Sequence, residues 1–307
     1  MRGPQPGRSE VLTEVMPAPA LEVHESAFTF HCKDVTLVGV VSTPPEGTVL
    51  LETGVVIVVG GPQYRAGSHR QFVQLARSLA RSGYSVMRFD CRGMGDSGGE
   101  MRSFDSAGPD VLVAIDALLG RCAHLRRVVL WGLCDAASLV LMHGAKHPNV
   151  AGLVLANPWV RSSATIAAVT VKHYYRGRLL HKDFWRKVFG DGLDWRASWQ
   201  SLRANIAGSL APREQGGGSA AAPEFQTAMA LGLAAFDGPV LLLLSGEDMT
   251  AREFIEYTAS APAWKGLLGA TRVVRIDLPG ADHTFSRRAW KTLVEEHTRV
   301  WMQRCVC

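Results

Sequence analysis

The sequence has no apolar run long enough to cross a bilayer. Uninterrupted apolar stretches such as residues 54–59 and 240–244 fall far short of the ~20 residues that a membrane-spanning helix needs. Arg2 and Arg8 stand near the beginning of the chain, but no apolar segment follows them before Pro17. We therefore expect neither a transmembrane segment nor a secretory signal in these 307 residues.

Motifs for binding nucleic acids, metals and nucleotide cofactors are also missing. The net charge of +5 is not accompanied by zinc-finger spacing, an RNA-recognition motif or a helix-turn-helix pattern, which argues against nucleic acid as a partner. The six cysteines include no CxxC pair, and the neighbours Cys305 and Cys307 lack the second half of a zinc site. The glycine-rich segment 90–99 lacks the Gly-Lys-Ser/Thr ending of a phosphate-binding loop. We expect no metal and no cofactor.

The composition is that of a packed globular protein, with 47% hydrophobic and 20% charged residues. Thiols scattered through such a chain, without a signal segment, are typical of a reducing compartment. We therefore predict a cytoplasmic protein. The composition leaves the oligomeric state open.

Strand and helix patterns alternate along most of the chain. Continuous apolar runs are separated by amphipathic segments, and this alternation predicts a parallel sheet flanked by crossover helices. Between residues 157 and 237 helical segments occur alone, together with a Gly- and Ala-rich stretch. We predict a disordered tail over 1–22, an α/β core over 23–156 and 238–307, and an inserted helical lid over 157–237 with a low-complexity loop at 208–223.

The strongest motif lies where an apolar strand runs into a helix. Residues 128–131 are apolar, and the Gly-Leu-Cys-Asp-Ala segment of residues 132–136 follows them. This context is typical of a nucleophile elbow, because small residues two positions before and after the central residue allow a sharp turn. The N-terminus of the next helix favours a thiolate. The motif predicts Cys134 as a nucleophile, and a buried cysteine at a strand end is the alternative.

A thiol nucleophile needs a base, and the base needs an acid that orients it. Asp248 follows the apolar run 240–244, and His283 follows the predicted strand 271–278. Both therefore stand beyond the carboxyl ends of predicted strands, where open α/β sheets place their sites. The order nucleophile, acid, histidine is the order found in α/β-hydrolases. Glu247 is the alternative to Asp248 as the orienting acid.

The negative oxygen that forms during acyl transfer needs N–H donors. We expect the amide of Asp135, directly after the nucleophile, and the amide of Gln63, in the loop after the earlier strand. Gln63 is chosen because Pro62 has no N–H. An ordinary Gly-Pro turn is the alternative for this loop.

Four further side chains are candidates for substrate binding: Arg65, His69, Trp159 and Arg161. A solvated helix start is the alternative for the first two. Arg161 opens a stretch, 161–188, in which seven basic residues and one acidic residue are interleaved with aromatic side chains. This stretch favours an anionic or amphiphilic ligand or transient contact with a membrane surface, and a solvated charged helix face is the alternative.

Five segments of the chain read GGPQYRAGSHR (60–70), RFDCRGMGDS (88–97), WGLCDA (131–136), NPWV (157–160) and DHTFSRR (282–288). In these segments the sequence resembles the α/β-hydrolases called hydrolase 1, exosortase A system-associated, and the resemblance covers residues from about 25 to 303. It implies a cytoplasmic hydrolase that accompanies bacterial exopolysaccharide and protein-sorting systems.

Taken together, these observations predict an α/β-hydrolase fold, a mostly parallel sheet flanked by helices with an inserted helical lid. We expect Cys134 to attack an ester or thioester, His283 to act as base and then as acid, and Asp248 to orient the imidazole. The expected substrate is a small molecule or an acyl or glycan compound. Two alternatives are an acyltransferase that uses a glycan or lipid acceptor and a catalytically silent fold that serves as a binding partner.

Overall fold

The computed structural model of the protein describes residues 22–61, 63–161 and 224–306. The predicted tail up to residue 21, Pro62 and most of the predicted lid lie outside the described residues. The loop at 208–223 and the basic stretch beyond Arg161 belong to that part of the lid. The structure therefore describes the core that carries the candidate site.

Eight strands form one sheet in the described part of the chain. They are β1 His24–Cys32, β2 Val35–Thr43, β3 Thr53–Val58, β4 Val86–Phe89, β5 Arg127–Leu133, β6 Val150–Ala156, β7 Val240–Ser245 and β8 Val273–Leu278. Their order across the sheet is β1-β2-β4-β3-β5-β6-β7-β8. The pairs β1–β2 and β2–β4 are antiparallel, and every other neighbouring pair is parallel.

Six α-helices among the described residues cover both faces of this sheet. They are α1 Gln71–Arg81, α2 Gly108–Arg121, α3 Asp135–His143, α4 Phe225–Ala235, α5 Met249–Ser260 and α6 Arg288–Cys305. Buried side chains of α1 and α6 form one core layer with the sheet, and those of α2 to α5 form the other. The prediction of a mostly parallel sheet flanked by helices is confirmed.

β3 shows why the central strands read as continuous apolar runs. Val55 and Ile57 pack into the layer of α1 and α6, whereas Val56 and Val58 pack into the opposite layer, and all four are fully buried. A strand covered on both faces has no solvent-facing position for a polar side chain. The apolar run thus reports a central position in the sheet.

Helix α4 lies within the region predicted as the lid, and its buried side chains belong to a core layer. Met229 and Leu233 are fully buried, and a Cβ added at Gly232 would lie 1.9 Å from the carbonyl oxygen of Leu141 in α3. This close approach needs a glycine. None of the helices in the described ranges is both long and apolar enough to cross a membrane.

Candidate active site

Cys134 lies at the sharp turn between β5 and α3. Its backbone has φ 61° and ψ −125°, a conformation that residues with a side chain rarely adopt. Gly132 allows the turn, because a Cβ there would lie 2.7 Å from the carbonyl carbon and oxygen of Ala136. The strained turn presents a half-buried thiol at the carboxyl end of the sheet.

Asp248 follows β7 and is nearly buried, with 5% of its surface exposed. Its Oδ1 accepts the N–H of Thr250 at 3.0 Å and thereby caps α5, while its Oδ2 lies 2.8 Å from Nδ1 of His283. The neighbouring Glu247 is exposed and lies 3.5 Å from Arg252. The structure therefore places Asp248, and not Glu247, against the histidine.

His283 lies in the loop after β8 and interacts with both of the other predicted residues. Its Nδ1 faces Asp248, which leaves Nε2 for the hydrogen bond with the Cys134 thiol. The hydrogen bonds with Asp248 and Cys134 raise the pKa of His283 to about 10, although burial opposes the shift. An imidazole with this pKa is protonated at neutral pH. The three side chains thus form one hydrogen-bonded chain.

Asn157 ties the histidine loop to two strand ends, a role that no sequence motif predicts. It follows β6, is fully buried and has φ 45°. Its Nδ2 donates to the Ser245 hydroxyl at 2.9 Å and to the carbonyl of His283 at 3.2 Å, and its Oδ1 accepts the N–H of Ser245 at 2.8 Å. The signal that the sequence offers is an Asn-Pro pair at the end of an apolar strand.

Asp282 shapes the loop that carries the histidine. Its carboxylate accepts the N–H of Thr284 at 3.2 Å, the N–H of Ser286 at 2.9 Å and the Ser286 hydroxyl. Its own carbonyl accepts the hydroxyl of Ser245 at 3.0 Å. These contacts fix the backbone on both sides of His283.

The carboxyl group of Asp135 turns back onto the elbow. Its Oδ2 accepts the N–H of Gly61 at 2.7 Å, and its Oδ1 accepts the N–H of Ala136 at 2.9 Å. Burial raises the pKa of this carboxyl, and the hydrogen bonds from backbone amides partly offset that effect. The group is therefore held by neutral N–H donors.

The expected second oxyanion donor is the amide of Gln63. The amide of Gln63 donates to the carbonyl of Gly61 at 2.8 Å, within its own loop. In this loop the amide directed at the elbow is that of Gly61, because it reaches the Asp135 side chain. The amide of Gln63 is thus engaged within its own loop.

The two basic candidates after β3 have different environments. Arg65 is 8% exposed, and its guanidinium forms ion pairs with Asp90 and with Asp96, the latter at 2.8 Å. It therefore holds this loop to the loop after β4 instead of standing free for a substrate. His69 is exposed, and its charge affects Asp282 next to the catalytic histidine candidate, so it lies at the rim of the site.

The two candidates after β6 are attached to different helices. Trp159 donates its backbone N–H to the carbonyl of Cys134 at 3.2 Å and to the hydroxyl of Ser138 at 2.9 Å, so it is fixed to the elbow. Arg161 makes a bidentate ion pair with Glu253 of α5, with both N–O distances at 2.9 Å. Its guanidinium also lies 5.0 Å from the centre of the Trp159 ring. Arg161 thus anchors the chain at the last residue before the undescribed part of the lid.

The described ranges contain four other cysteines. Cys32, Cys91 and Cys122 are buried, and Cys305 is exposed near the end of α6. Burial raises the pKa of the Cys91 thiol. No group of three histidine, cysteine or carboxylate side chains among the described residues is placed to hold a metal ion.

Solved structures with the same architecture include hydrolytic enzymes from several organisms. The esterase Pf2001 of Pyrococcus furiosus is 16% identical, with 94% of each chain covered and a TM-score of 0.60. Est1E of Butyrivibrio proteoclasticus, solved with ferulic acid bound, is 14% identical, with 91% of this chain and 99% of that chain covered and a TM-score of 0.58. The chain has the α/β-hydrolase fold.

A third structure with this α/β-hydrolase fold is the dienelactone hydrolase of Anabaena variabilis, which is 15% identical, with 93% of this chain and 99% of that chain covered and a TM-score of 0.58. Residues 52–189 match the sequence model of the Hydrolase_4 family, described as serine aminopeptidase S33. The match contains the elbow but ends before Asp248 and His283. No curated protein matches the sequence.

Proposed function

We propose that this α/β-hydrolase cleaves an ester or thioester through a catalytic triad of Cys134, His283 and Asp248. The observation that carries the proposal is the hydrogen-bonded chain from Asp248 through His283 to the thiol at the elbow. The family match over residues 52–189 and the esterases among the structural neighbours support hydrolysis of an ester bond. This chain carries a thiol at the elbow, so the proposed intermediate is a thioester.

In the first half of the reaction, His283 already holds the proton of the Cys134 thiol, so the sulfur reacts as a thiolate beside an imidazolium. The sulfur attacks the carbonyl carbon of the substrate, a C–S bond forms, and the carbonyl π electrons move onto the oxygen. When this tetrahedral intermediate collapses, the bond to the leaving alcohol or thiol breaks and His283 gives that group its proton. Asp248 stabilises the imidazolium and keeps Nε2 directed at the sulfur.

In the second half, water releases the acyl group. His283 takes a proton from the water, the hydroxide attacks the thioester carbon, and the C–S bond breaks. The sulfur leaves as a thiolate beside the imidazolium, so the starting proton arrangement returns. An alcohol in place of water would give acyl transfer by the same steps.

The tetrahedral oxygen needs N–H donors in both halves. We propose the amide of Asp135, as the elbow geometry requires, and the amide of Gly61 in place of the expected Gln63. Trp159 and His69 remain our candidates for contact with the substrate. Arg65 and Arg161 act through the loops that they hold.

The sequence resemblance supports a bacterial setting in which the substrate is an acyl or glycan compound of an exopolysaccharide or exosortase system. The free thiols found among the described residues support a cytoplasmic location. Both statements belong to the proposal, and the chemistry can be tested without them.

The test is a pre-steady-state assay with p-nitrophenyl acetate. We expect a burst of p-nitrophenolate equal to the enzyme concentration and an acetyl group on the peptide that contains Cys134, detected by mass spectrometry. Cys134→Ala should lose both. Cys305→Ala removes the exposed thiol of α6 and is the matched control, because it should keep both.

The other outcomes separate the alternatives. Turnover that survives in Cys134→Ala, with acetylation at Cys305 or Cys91, would show that the nucleophile is misassigned. An acetylated Cys134 that persists until an alcohol is added would favour acyl transfer over hydrolysis. A wild-type protein with neither burst nor acetylation would favour a binding role for the fold.

A further inference from the structure

The carboxyl group of Asp135 accepts the N–H of Gly61, the amide that we propose as the second oxyanion donor. The two N–H groups around it come from Gly61, in the loop after β3, and from Ala136, in the first turn of α3. The backbone N–H of Asp135 itself also favours the charged form of this carboxyl. Donors from the elbow and from the loop after β3 are the set that an oxyanion needs. In this structure the protein's own carboxyl group fills that set.

The fit of the carboxyl group is tight. A Cβ at Gly60 would lie 1.9 Å from Oδ1 of Asp135, so only a glycine leaves room for the carboxyl at this place. A Cβ at Gly61 would lie 3.8 Å from Oδ2, in ordinary contact. The loop after β3 and the elbow therefore enclose the group from two sides.

No lysine or arginine in the described ranges forms an ion pair with Asp135. The titratable groups that interact with it are His283, from the loop after β8, and the Cys91 thiol after β4, and Cys134 precedes it in the chain. The loop after β3 faces it with a backbone amide alone. A carboxylate in this position accepts hydrogen bonds from amides, but the elbow, α3 and the loop after β3 offer it no ion-pair partner.

We propose that the carboxyl group of Asp135 gates the oxyanion site: the charged form blocks it, and the neutral form supports it. The inference rests on the proposed function, because it concerns the oxygen of the substrate attacked by Cys134. A carboxylate would compete for the N–H of Gly61 and repel the negative charge that develops on the substrate. A neutral carboxyl group has an O–H that can donate to that oxygen, as a backbone N–H does.

The direction of the pH effect follows from this arrangement. Burial raises the pKa of the Asp135 carboxyl above its ordinary value, so the neutral form extends to higher pH than in an exposed aspartate. Acylation should therefore be slowed as Asp135 loses its proton. Asparagine has nearly the same shape and caps a helix equally well, but it stays neutral and offers N–H donors.

The first experiment compares burst rates of Asp135→Asn and wild type with p-nitrophenyl acetate from about pH 4 to about pH 8. The ratio of the two rates removes the pH effects that the two proteins share. We expect the ratio to rise with pH and to reach about 10²-fold, the lower end of the effect of losing one oxyanion donor. Asp277→Asn is the control, because it removes an exposed carboxylate of β8 and should give a ratio near one.

A pH-independent ratio near one, or below one, would overturn the proposal. It would leave Asp135 as an acidic residue that only stabilises the first turn of α3. Loss of the burst in Cys134→Ala tests the proposed function separately, so the two failures are distinguishable.

The second experiment does not need ester turnover. Iodoacetamide and iodoacetate alkylate a thiol by the same displacement of iodide, but the latter carries a negative charge. We expect wild type to favour iodoacetamide at Cys134, and Asp135→Asn to reduce this preference by about five-fold near neutral pH. Mass spectrometry of the Cys134 peptide separates this reaction from alkylation at Cys305. Equal preferences in the two proteins would overturn the proposal.

Discussion

Two aspartates at the carboxyl end of the sheet differ in their partners and therefore in what they do. Asp135 follows β5 and opens α3, and Asp248 follows β7 and caps α5. Asp248 lies 2.8 Å from an imidazole that can carry a positive charge, whereas Asp135 receives backbone N–H groups. In our proposals the same residue type, in two strand-turn-helix units, supports catalysis in one place and competes with the substrate oxygen in the other. Aspartate-to-asparagine changes should act in opposite directions at the two sites.

The largest effect is expected for Asp248→Asn. The amide cannot stabilise the imidazolium, and it favours the wrong tautomer of His283, so kcat should fall by about 10³–10⁴-fold. The change should also lower the pKa of His283, because the hydrogen bond with Asp248 is the main cause of its elevation. Steady-state kinetics and NMR titration of the imidazole measure these two results.

Glu247→Gln is the matched control for this substitution. Glu247 is the neighbouring carboxylate, but it is exposed and contacts Arg252 instead of the histidine. Its removal should change kcat by less than about two-fold. A loss of activity in Glu247→Gln as large as that in Asp248→Asn would reverse the assignment of the orienting acid.

The turn that carries Cys134 depends on close backbone packing, which Gly132→Ala should disrupt. A Cβ at this position would lie 2.7 Å from the backbone of Ala136 and Ala137, and no side-chain rotation can relieve that contact. We expect a loss of about 2–3 kcal/mol in the free energy of unfolding, measured by urea denaturation. Gly120→Ala in α2 is the control, because nothing lies within 4 Å of its Cβ and a gain of about 0.5–1 kcal/mol is expected. Equal stabilities for the two variants would contradict the packing argument.

The loop that carries His283 depends instead on side-chain hydrogen bonds, and Asn157→Ala should weaken its attachment to the sheet. The variant loses the bonds to Ser245 and to the carbonyl of His283, so we expect kcat to fall by about ten-fold and stability by about 1–2 kcal/mol. KM should stay unchanged, because the amide of Asn157 is buried behind the loop. A variant that loses stability but keeps kcat would show that Asn157 does not position His283.

The sequence predicts the candidate catalytic residues and the strands that carry them better than it predicts the contacts between distant residues. The elbow is a local pattern, since Gly132, Cys134 and Ala136 lie within five positions and follow an apolar strand. Asp248 and His283 are recognisable because each stands just beyond a strand end. The central position of strands such as β3 in the sheet could also be derived, because strands that are buried on both faces must be apolar throughout.

Contacts between distant segments could not be derived in this way. Asn157 forms hydrogen bonds with residues 88 and 126 positions away. Arg65 forms ion pairs with two carboxylates from another loop. The rotation of the Asp135 carboxyl toward Gly61 depends on a loop 74 residues earlier in the chain. In each case the residue type allowed several partners, and tertiary packing selected one.

The smallest expected effect concerns the pH dependence of stability. The pKa of His283 is raised to about 10 in the folded state, while an unfolded histidine keeps a value near 6.5. The stabilisation from its proton is therefore complete below about pH 6.5 and is lost as the pH rises toward about 10. His283→Gln lacks this contribution at every pH, so the difference in unfolding free energy between wild type and variant should shrink over that interval. Because the side chain is 35% exposed, solvent screens the pair and the change should be roughly 0.5–1 kcal/mol, measured by urea denaturation at the two pH values. A difference that stays constant or grows would mean that Asp248 does not hold a charged imidazole, and the contrast with Asp135, whose hydrogen bonds come from backbone N–H groups, would disappear.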